Sequence, residues 1–328
     1  GSTKPMDQKV HVFTFQSAVT APVSTPVTAP AVQDVLVQDG SSAMATPVAT
    51  VRQFSVETKQ LSFAPAVKNL FQEILTNALD RQYRDPKMKR IDVWIGHDEA
   101  GGANWIRVKN DGQGLPVIFD EERGAWKPTI AFSHFRSGTN FQDDAAHARW
   151  TAGRNGYGCK ATNVFSLSFT VETADPVRGL MFSQTFTDNM AHASEPVIKP
   201  FSLKKGFTNV SFLLDYARLG VPNGSMTPDI KQMLVSTVVD ATCLLTKKVV
   251  LSLDGTLLDV KNVKHFTALF LAPGQPTTLV ASDVVKSTST AVDVNTWEVC
   301  VAPVSNAFVS SDDNVVGFVN SLQCSQGT

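Results

Sequence analysis

Three glycines within six residues, Gly153, Gly156 and Gly158, let a backbone turn its N–H groups toward one point. A nest of that kind binds an anion such as phosphate. Lys160 follows two residues later, where its ammonium can neutralise charge on the outer phosphates. The stretch Gly153-Arg154-Asn155-Gly156-Tyr157-Gly158-Cys159-Lys160 also suits a plain structural turn, and related glycine spacings serve dinucleotides and kinases. Glu73, Asn77 and Asp80 stand at i, i+4 and i+7, so on a helix a carboxylate, an amide and a second carboxylate share one face. A solvated polar face has the same pattern. Asn110-Asp111-Gly112-Gln113-Gly114-Leu115-Pro116 puts an amide and a carboxylate on a glycine-permissive turn, as an ordinary hairpin turn also does. Ser137-Gly138-Thr139-Asn140 offers small polar groups to ribose hydroxyls or phosphate oxygens, in the composition of common loops.

These groups need elements to hold them. Val67, Leu70, Phe71, Ile74, Leu75 and Ala78 recur at three- and four-residue steps, which predicts a helix with Pro65 near its start and Glu73 and Asn77 beside the apolar stripe. Residues 90–95 and 104–109 alternate as strands, the second running straight into the Asn110 turn. The run 161–168 reads as a helix start after the glycines, lending them the positive end of a helix dipole. Strands are predicted at 167–173, 180–186 and 208–213, and a helix at 227–245. A second unit reads from near Lys248, with a strand at 249–253, a turn at Asp254-Gly255 and later strands at 297–302 and 315–319. Helices interleaved with a largely antiparallel sheet give an α+β sandwich. Residues 16–50, rich in Ala, Val, Thr, Ser and Pro, read as an extended or loosely ordered arm able to pack on a partner subunit.

With 328 residues and 43% hydrophobic content the chain can bury a full core in about two domains. A formal net charge of −1 leaves no basic excess for gripping a duplex, so any DNA contact must be local. No run of 18 apolar residues suggests a membrane span. Cys159, Cys243, Cys300 and Cys324 lack metal-ligand spacing and read as reduced thiols of an intracellular protein. The six histidines are scattered, so a zinc site is not expected. Trp94 and Trp105 read as core or half-buried sheet residues, and Lys204-Lys205 as a solvated end. Gly1-Ser2 reads as the remnant of a cleaved tag, and the chain as a piece cut from a longer one.

Taken in order, Glu73…Asn77, Asn110-Asp111-Gly112-Gln113-Gly114 and Gly153 to Lys160 resemble the GHKL (Bergerat-fold) ATPases. More narrowly, Gly153-Arg154-Asn155-Gly156-Tyr157-Gly158 looks like the ATPase region of eukaryotic-type DNA topoisomerase II. So do Arg84-Asp85-Pro86-Lys87-Met88, Asp188-Asn189-Met190, Trp297-Glu298-Val299-Cys300 and Gly317-Phe318-Val319-Asn320-Ser321. The resemblance covers about Leu61 to the end. It implies a GHKL α/β sandwich followed by the beginning of a ribosomal-S5-like transducer domain, with residues 1–60 a divergent arm, 61–259 the ATP-binding domain and 260–328 a truncated transducer.

It also implies roles. Glu73 would be the general base for the attacking water, and Asn77 the protein ligand of Mg²⁺. Asn110 would face the adenine amino group, Gly114 would close the turn, and Thr208 would support the base pocket. Thr139 and Asn140 would reach the ribose or α-phosphate. The amides of Arg154, Asn155, Gly156, Tyr157 and Gly158, with Gly153 and the Lys160 side chain, would wrap the β- and γ-phosphates. In the full-length protein, ATP would close a homodimer gate over DNA. Two departures stand out. The family's Arg-Pro-Asp-Thr-Tyr-Ile-Gly-like segment has only Gln38-Asp39-Gly40-Ser41-Ser42-Ala43-Met44 as a counterpart. The family's Gln-Thr-Lys loop, whose lysine touches the γ-phosphate, lies beyond the last residue, so feeble hydrolysis by this stretch alone is expected. The family's DNA-cleaving tyrosine belongs to a separate domain, and Tyr83, Tyr157 and Tyr216 all fall in the nucleotide-binding region. A second reading keeps the fold as a topoisomerase-derived scaffold with a weak or inactive ATPase that binds partners through its divergent arm. A third is another GHKL machine, such as a chaperone or mismatch-repair ATPase.

Overall fold

The computed structural model describes residues 4–16, 53–96, 104–135, 157–246, 248–260 and 262–270, and the strands at 278–285, 294–301, 317–319 and 322–324. Most of the stretch read as a loose arm, 17–50, lies outside these. β1 (Met6–Gln16) and β2 (Gln53–Phe63) pair antiparallel along their whole length, with Met6 opposite Phe63 and Gln16 opposite Gln53. α1 (Pro65–Arg84) follows at once. It starts with Pro65 in its first turn, where the missing N–H costs no helical hydrogen bond, and it stops because Pro86 forces Asp85 into an extended conformation. Val67, Leu70, Phe71, Ile74, Leu75 and Ala78 are all buried, as their spacing predicts.

β3 (Arg90–Ile95) and β4 (Trp105–Gly112) come next, then the short pair β5 (Phe119–Asp120) and β6 (Ala125–Trp126). α2 (Lys127–Ser133) and α3 (Gly158–Val164) lead to β7 (Ser166–Asp175), β8 (Leu180–Thr187), β9 (His192–Ala193), β10 (Val197–Pro200) and β11 (Gly206–Leu214). α4 (Pro228–Asp240) is capped by Thr227, whose Oγ1 accepts from the Ile230 N–H at 3.2 Å, and runs into a 3-10 turn at Ala241–Leu244. β12 (Val250–Leu253), β13 (Thr256–Leu257) and α5 (Val263–Ala268) complete the body. β14 (Thr278–Val285) pairs with β15 (Val294–Val301), and β16 (Gly317–Val319) with β17 (Leu322–Cys324).

One nine-stranded sheet runs β10-β8-β7-β11-β4-β3-β12-β13, with β9 also on β8. Its pairings are antiparallel except that of β12 with β3. Two sequence readings are corrected here. The helix after the glycines is α3, which begins at Gly158 and ends at Val164, so 166–168 opens a strand; Ser166, Ser168 and Thr170 alternate with Phe169 and Val171 in a two-residue period. Val250–Leu253 does not open a second unit. It lies beside β3 in the main sheet, because Leu251 and Leu253 continue the buried rows begun by Ile91 and Val93.

Those rows organise the core. Ile95, Ile106, Phe212, Phe169 and Phe186 stand side by side across five strands, and Val93, Val108, Val210 and Val171 form the next row. All nine are buried, as period-2 alternation requires when one sheet face is covered by helices. The β1–β2 pair adds Val12, Phe13, Val56, Leu61 and Phe63 to the same core. The Phe13 ring lies 6.5 Å from Phe54, 6.2 Å from Phe266 and 5.9 Å from Phe270, and the Gln232 Nε2 donates to the Phe13 carbonyl at 3.3 Å. Gln82, near the end of α1, donates to the Leu244 carbonyl at 3.1 Å and accepts from the Thr246 N–H at 2.8 Å, which ties α1 to the segment entering β12. Trp94 and Trp105 are half-buried in the sheet, with the Arg107 guanidinium 4.7 Å over Trp94. Among the described residues no helix is long and apolar enough to cross a membrane.

Two outcomes follow from this packing. Phe13→Ala should lower the urea midpoint by an amount equivalent to about 3–5 kcal/mol, the usual cost of emptying a buried aromatic site; an unchanged midpoint would mean that β1 does not share the core. Asp240 is buried at the end of α4, its Oδ1 has no hydrogen-bond partner among the described residues, and burial, opposed by Lys68, lifts its pKa to about 7. The folded chain then holds a proton that the unfolded chain releases near pH 4, so stability is full below that pH and declines as pH rises toward 7. Asp240→Asn should flatten this decline in chemical denaturation across pH 4–7.

Candidate active site

The polar end of the core begins one step beyond the apolar rows. Ile91, Asn110, Thr208, Thr173 and Phe182 form the next row across β3, β4, β11, β7 and β8. In the three central strands the inward position therefore changes from Val108, Val210 and Val171 to an amide and two hydroxyls at the same height. Asn110 and Thr173 are buried and Thr208 is half-buried. Thr173 Oγ1 accepts from the Leu115 N–H at 2.8 Å, donates to the Phe207 carbonyl at 2.9 Å, and lies 3.4 Å from Thr208 Oγ1. Asn110 Nδ2 donates to the Asp111 carbonyl at 3.0 Å. Thr173 was not singled out from sequence. Its signal was its place in the inward period of β7, after Phe169 and Val171.

The turn after β4 is shaped by close approaches. Gly114 has φ +71°, and a Cβ there would overlap the Ala174 carbonyl, so glycine is required twice over. A Cβ on Gly112 would overlap the Asp85 carboxylate. Asp111 turns away from this pocket: its Oδ1 accepts from the Lys89 and Arg90 N–H groups at 2.7 and 3.0 Å, and its Oδ2 pairs with Lys205 at 2.5 Å. The carboxylate of the turn thus anchors the start of β3. Lys205 is its exposed partner.

On the facing helix, Glu73 and Asn77 are exposed, one turn apart on α1. Asp80, placed on the same face by the periodicity, is buried, near where Gln82 bonds to Leu244 and Thr246. There it adds to the burial that pushes the Tyr83 hydroxyl up to about 12. The Glu73 carboxyl keeps an exposed edge, yet enough protein surrounds it for desolvation to raise its pKa. The cause is α3. A Cβ on Gly158 would overlap the Glu73 carboxylate, so the first residue of α3 lies directly against it. α3 is held there by three side chains. Thr162 Oγ1 donates to the Leu70 carbonyl of α1 at 2.9 Å, Asn163 Nδ2 donates to the Phe132 carbonyl of α2 at 3.1 Å, and Cys159 Sγ lies 3.3 Å from the Ala131 carbonyl.

Tyr157 precedes α3 with an exposed ring 6.1 Å from that of Phe135. Lys160 is buried, and desolvation lowers its pKa. Of the residues expected at the site, Glu73, Asn77, Asn110, Gly114, Tyr157, Gly158, Lys160 and Thr208 are described; Thr139, Asn140, Gly153, Arg154, Asn155 and Gly156 lie outside the described residues. Glu73 and Gly158 meet directly, and Asn110 and Thr208 are cross-strand neighbours. Asn77 shares a helix face with Glu73. The described donors fit a Mg²⁺-nucleotide in kind: one exposed carboxylate on Glu73 and one exposed amide on Asn77, a turn apart. Among the described residues no cluster of three His, Cys, Asp or Glu could hold a metal by itself.

No family model matches the chain. It is 37% identical over 213 residues to DNA topoisomerase 2 of Candida glabrata, an alignment covering 65% of this chain and 14% of that protein. It is 32% identical over 269 residues to DNA topoisomerase 2 of Arabidopsis thaliana, covering 82% of this chain and 17% of that protein. The chain thus spans about a sixth of the length of such relatives. The crystal structure of the ATPase and transducer domains of DNA topoisomerase II from Balamuthia mandrillaris superposes with a TM-score of 0.61 at 34% identity, over 69% of this chain and 56% of that one. Sequence identity and fold, including the α+β sandwich built on a large sheet, place this chain in the family of eukaryotic-type DNA topoisomerases II, as a homologue of their ATPase region.

Proposed function

We propose that this chain binds Mg·ATP between α1, α3 and the Asn110–Leu115 turn and hydrolyses it, as the ATPase region of a type IIA topoisomerase. The observation that carries the reading is the abutment of Gly158 on the Glu73 carboxylate, which puts a partly desolvated base at the end of the glycine-rich stretch. The polar row of Asn110, Thr208 and Thr173 supports it at the other end, where a base could be met by hydrogen bonds.

On this reading Glu73 takes a proton from a water molecule, the water oxygen bonds to the γ-phosphorus, and the bond to the β–γ bridging oxygen breaks to release ADP and phosphate. Asn77 holds Mg²⁺ together with the phosphates, and the ion supplies charge neutralisation there. Asn110 and Thr208 bind the base, with Gly114 closing the turn. Residues 153–158 give backbone amides to the β- and γ-phosphates, Lys160 adds its charge, and Thr139 and Asn140 reach the sugar or α-phosphate. Residues 61–259 form the nucleotide-binding domain and 260–328 the start of the transducer. In the longer protein, nucleotide binding closes a homodimer gate over DNA and hydrolysis resets it. Kinship with DNA topoisomerase 2 supports that last step.

Glu73→Gln should cut turnover by about 10²–10⁴-fold, the usual contribution of a general base, while leaving affinity for a non-hydrolysable ATP analogue nearly unchanged; full turnover in this variant would remove Glu73 from the role. A base works only when ionised, so turnover is present above its pKa and lost below it. Because burial raises the Glu73 pKa, the acid limb of the rate profile should lie above the ordinary glutamate range and disappear from the residual activity of Glu73→Gln. Asn77→Ala should weaken analogue binding in Mg²⁺ and have little effect in EDTA, as titration calorimetry would show.

A further inference from the structure

The last turn of α1 reaches over the turn that follows β4. Asp85 is 1% exposed, and its carboxylate accepts from the Gln113 N–H at 2.6 Å and the Lys87 N–H at 3.0 Å while filling the space left by the missing Cβ of Gly112. Arg81, one turn earlier, donates from Nη2 to the Gly114 carbonyl at 3.0 Å, and its Nε lies 3.7 Å from Asp85 Oδ2. Two backbone groups of one turn, the Gln113 N–H and the Gly114 carbonyl, are therefore held by a charged pair at i and i+4 of the helix that also carries Glu73 and Asn77. Hydrogen bonds to charged groups are stronger than neutral ones, and a buried carboxylate gives little room for the loop to drift.

We infer that Arg81 and Asp85 are positioning residues for base selection: they fix the turn that follows β4, the strand that carries Asn110 near its end, so that its amide presents one orientation to the ligand. This rests on the reading that Asn110 meets the base. Asn110 Nδ2 is committed to the carbonyl of Asp111, the next residue of β4, which leaves Oδ1 as the end able to accept. An acceptor suits the 6-amino group of adenine and opposes the 6-oxo group of guanine. If the turn is loosened, the end of β4 frays, the Asp111 carbonyl no longer holds Nδ2, the amide can rotate, and the site accepts either purine.

The test is calorimetric binding of three Mg²⁺ complexes, those of a non-hydrolysable ATP analogue, the matching GTP analogue and inorganic tripolyphosphate. It compares the wild type with Asp85→Ala, Asp85→Asn and Arg81→Met, each checked by circular dichroism. The wild type should prefer the ATP analogue. Asp85→Ala and Arg81→Met should lower that preference by about tenfold, the effect of one misplaced hydrogen bond, with tripolyphosphate affinity unchanged. Asp85→Asn keeps an acceptor for the Gln113 N–H and should recover most of the preference. If Asp85→Ala does not fold, Arg81→Met, whose side chain is partly exposed, decides the matter. A wild-type preference that survives both substitutions overturns the role of the pair alone, as does an equal loss for all three ligands, which marks general loosening. A wild type that binds tripolyphosphate but shows no preference between the analogues overturns the base reading beneath it.

Discussion

Burial of the α1 stripe against the sheet is the contact on which the rest of the molecule depends. Val67, Leu70, Phe71, Ile74, Leu75 and Ala78 are all buried, and at about 1.5–3 kcal/mol for each large apolar side chain their gross contribution is on the order of 10 kcal/mol. That burial sets the rotation of the helix, and rotation decides everything placed on its other faces. Glu73 and Asn77 come to the open side in the middle, while Arg81 and Asp85 come over the β4 turn at the end. A change of one residue in the stripe would turn all four away together.

The sheet makes a matching division. Its inward rows are apolar from Ile106 to Val108 and their neighbours, then polar at Asn110, Thr208 and Thr173. The apolar rows hold the helices, and the polar row is left beneath the β4 turn, where the Thr173 hydroxyl is already engaged with backbone groups at Leu115 and Phe207. Stability and site are thus parts of one register. α3 links them to the glycine-rich stretch, since Thr162 ties it to Leu70 on the same helix that offers Glu73 to Gly158.

Much of this was legible from residue spacing. The stripe after Pro65 gave α1, and alternation gave β3, β7, β8 and β11 to within two residues at each end and β4 to within three. The pairings were not, because period-2 alternation says which face a strand buries and nothing about its neighbour. Val250–Leu253 therefore read as a new unit although it extends the main sheet beside β3. α3 was displaced because Gly158 and Cys159 carry little helical signal of their own; tertiary bonds from Thr162 and Asn163 hold the short helix in place. Asp80 shared a helical face with Glu73 in the sequence but is buried, in the part of α1 where Gln82 bonds to Leu244 and Thr246, 162 and 164 residues away. Asp85 stood in a legible motif and Arg81 in none, and neither had a legible task, since their partners at Gln113 and Gly114 are set only by the packing of α1 over β4.

The proposed function requires α1, α3 and the β4 turn to hold the nucleotide together. Amide hydrogen exchange, read by mass spectrometry with and without a non-hydrolysable ATP analogue and Mg²⁺, tests it most directly. The account predicts slowed exchange in the Glu73–Asp80 stretch, at Gln113–Leu115 and at Gly158–Thr162, with α4 and the β1–β2 pair unaffected. No protection at saturating analogue, or protection confined to other elements, would contradict it.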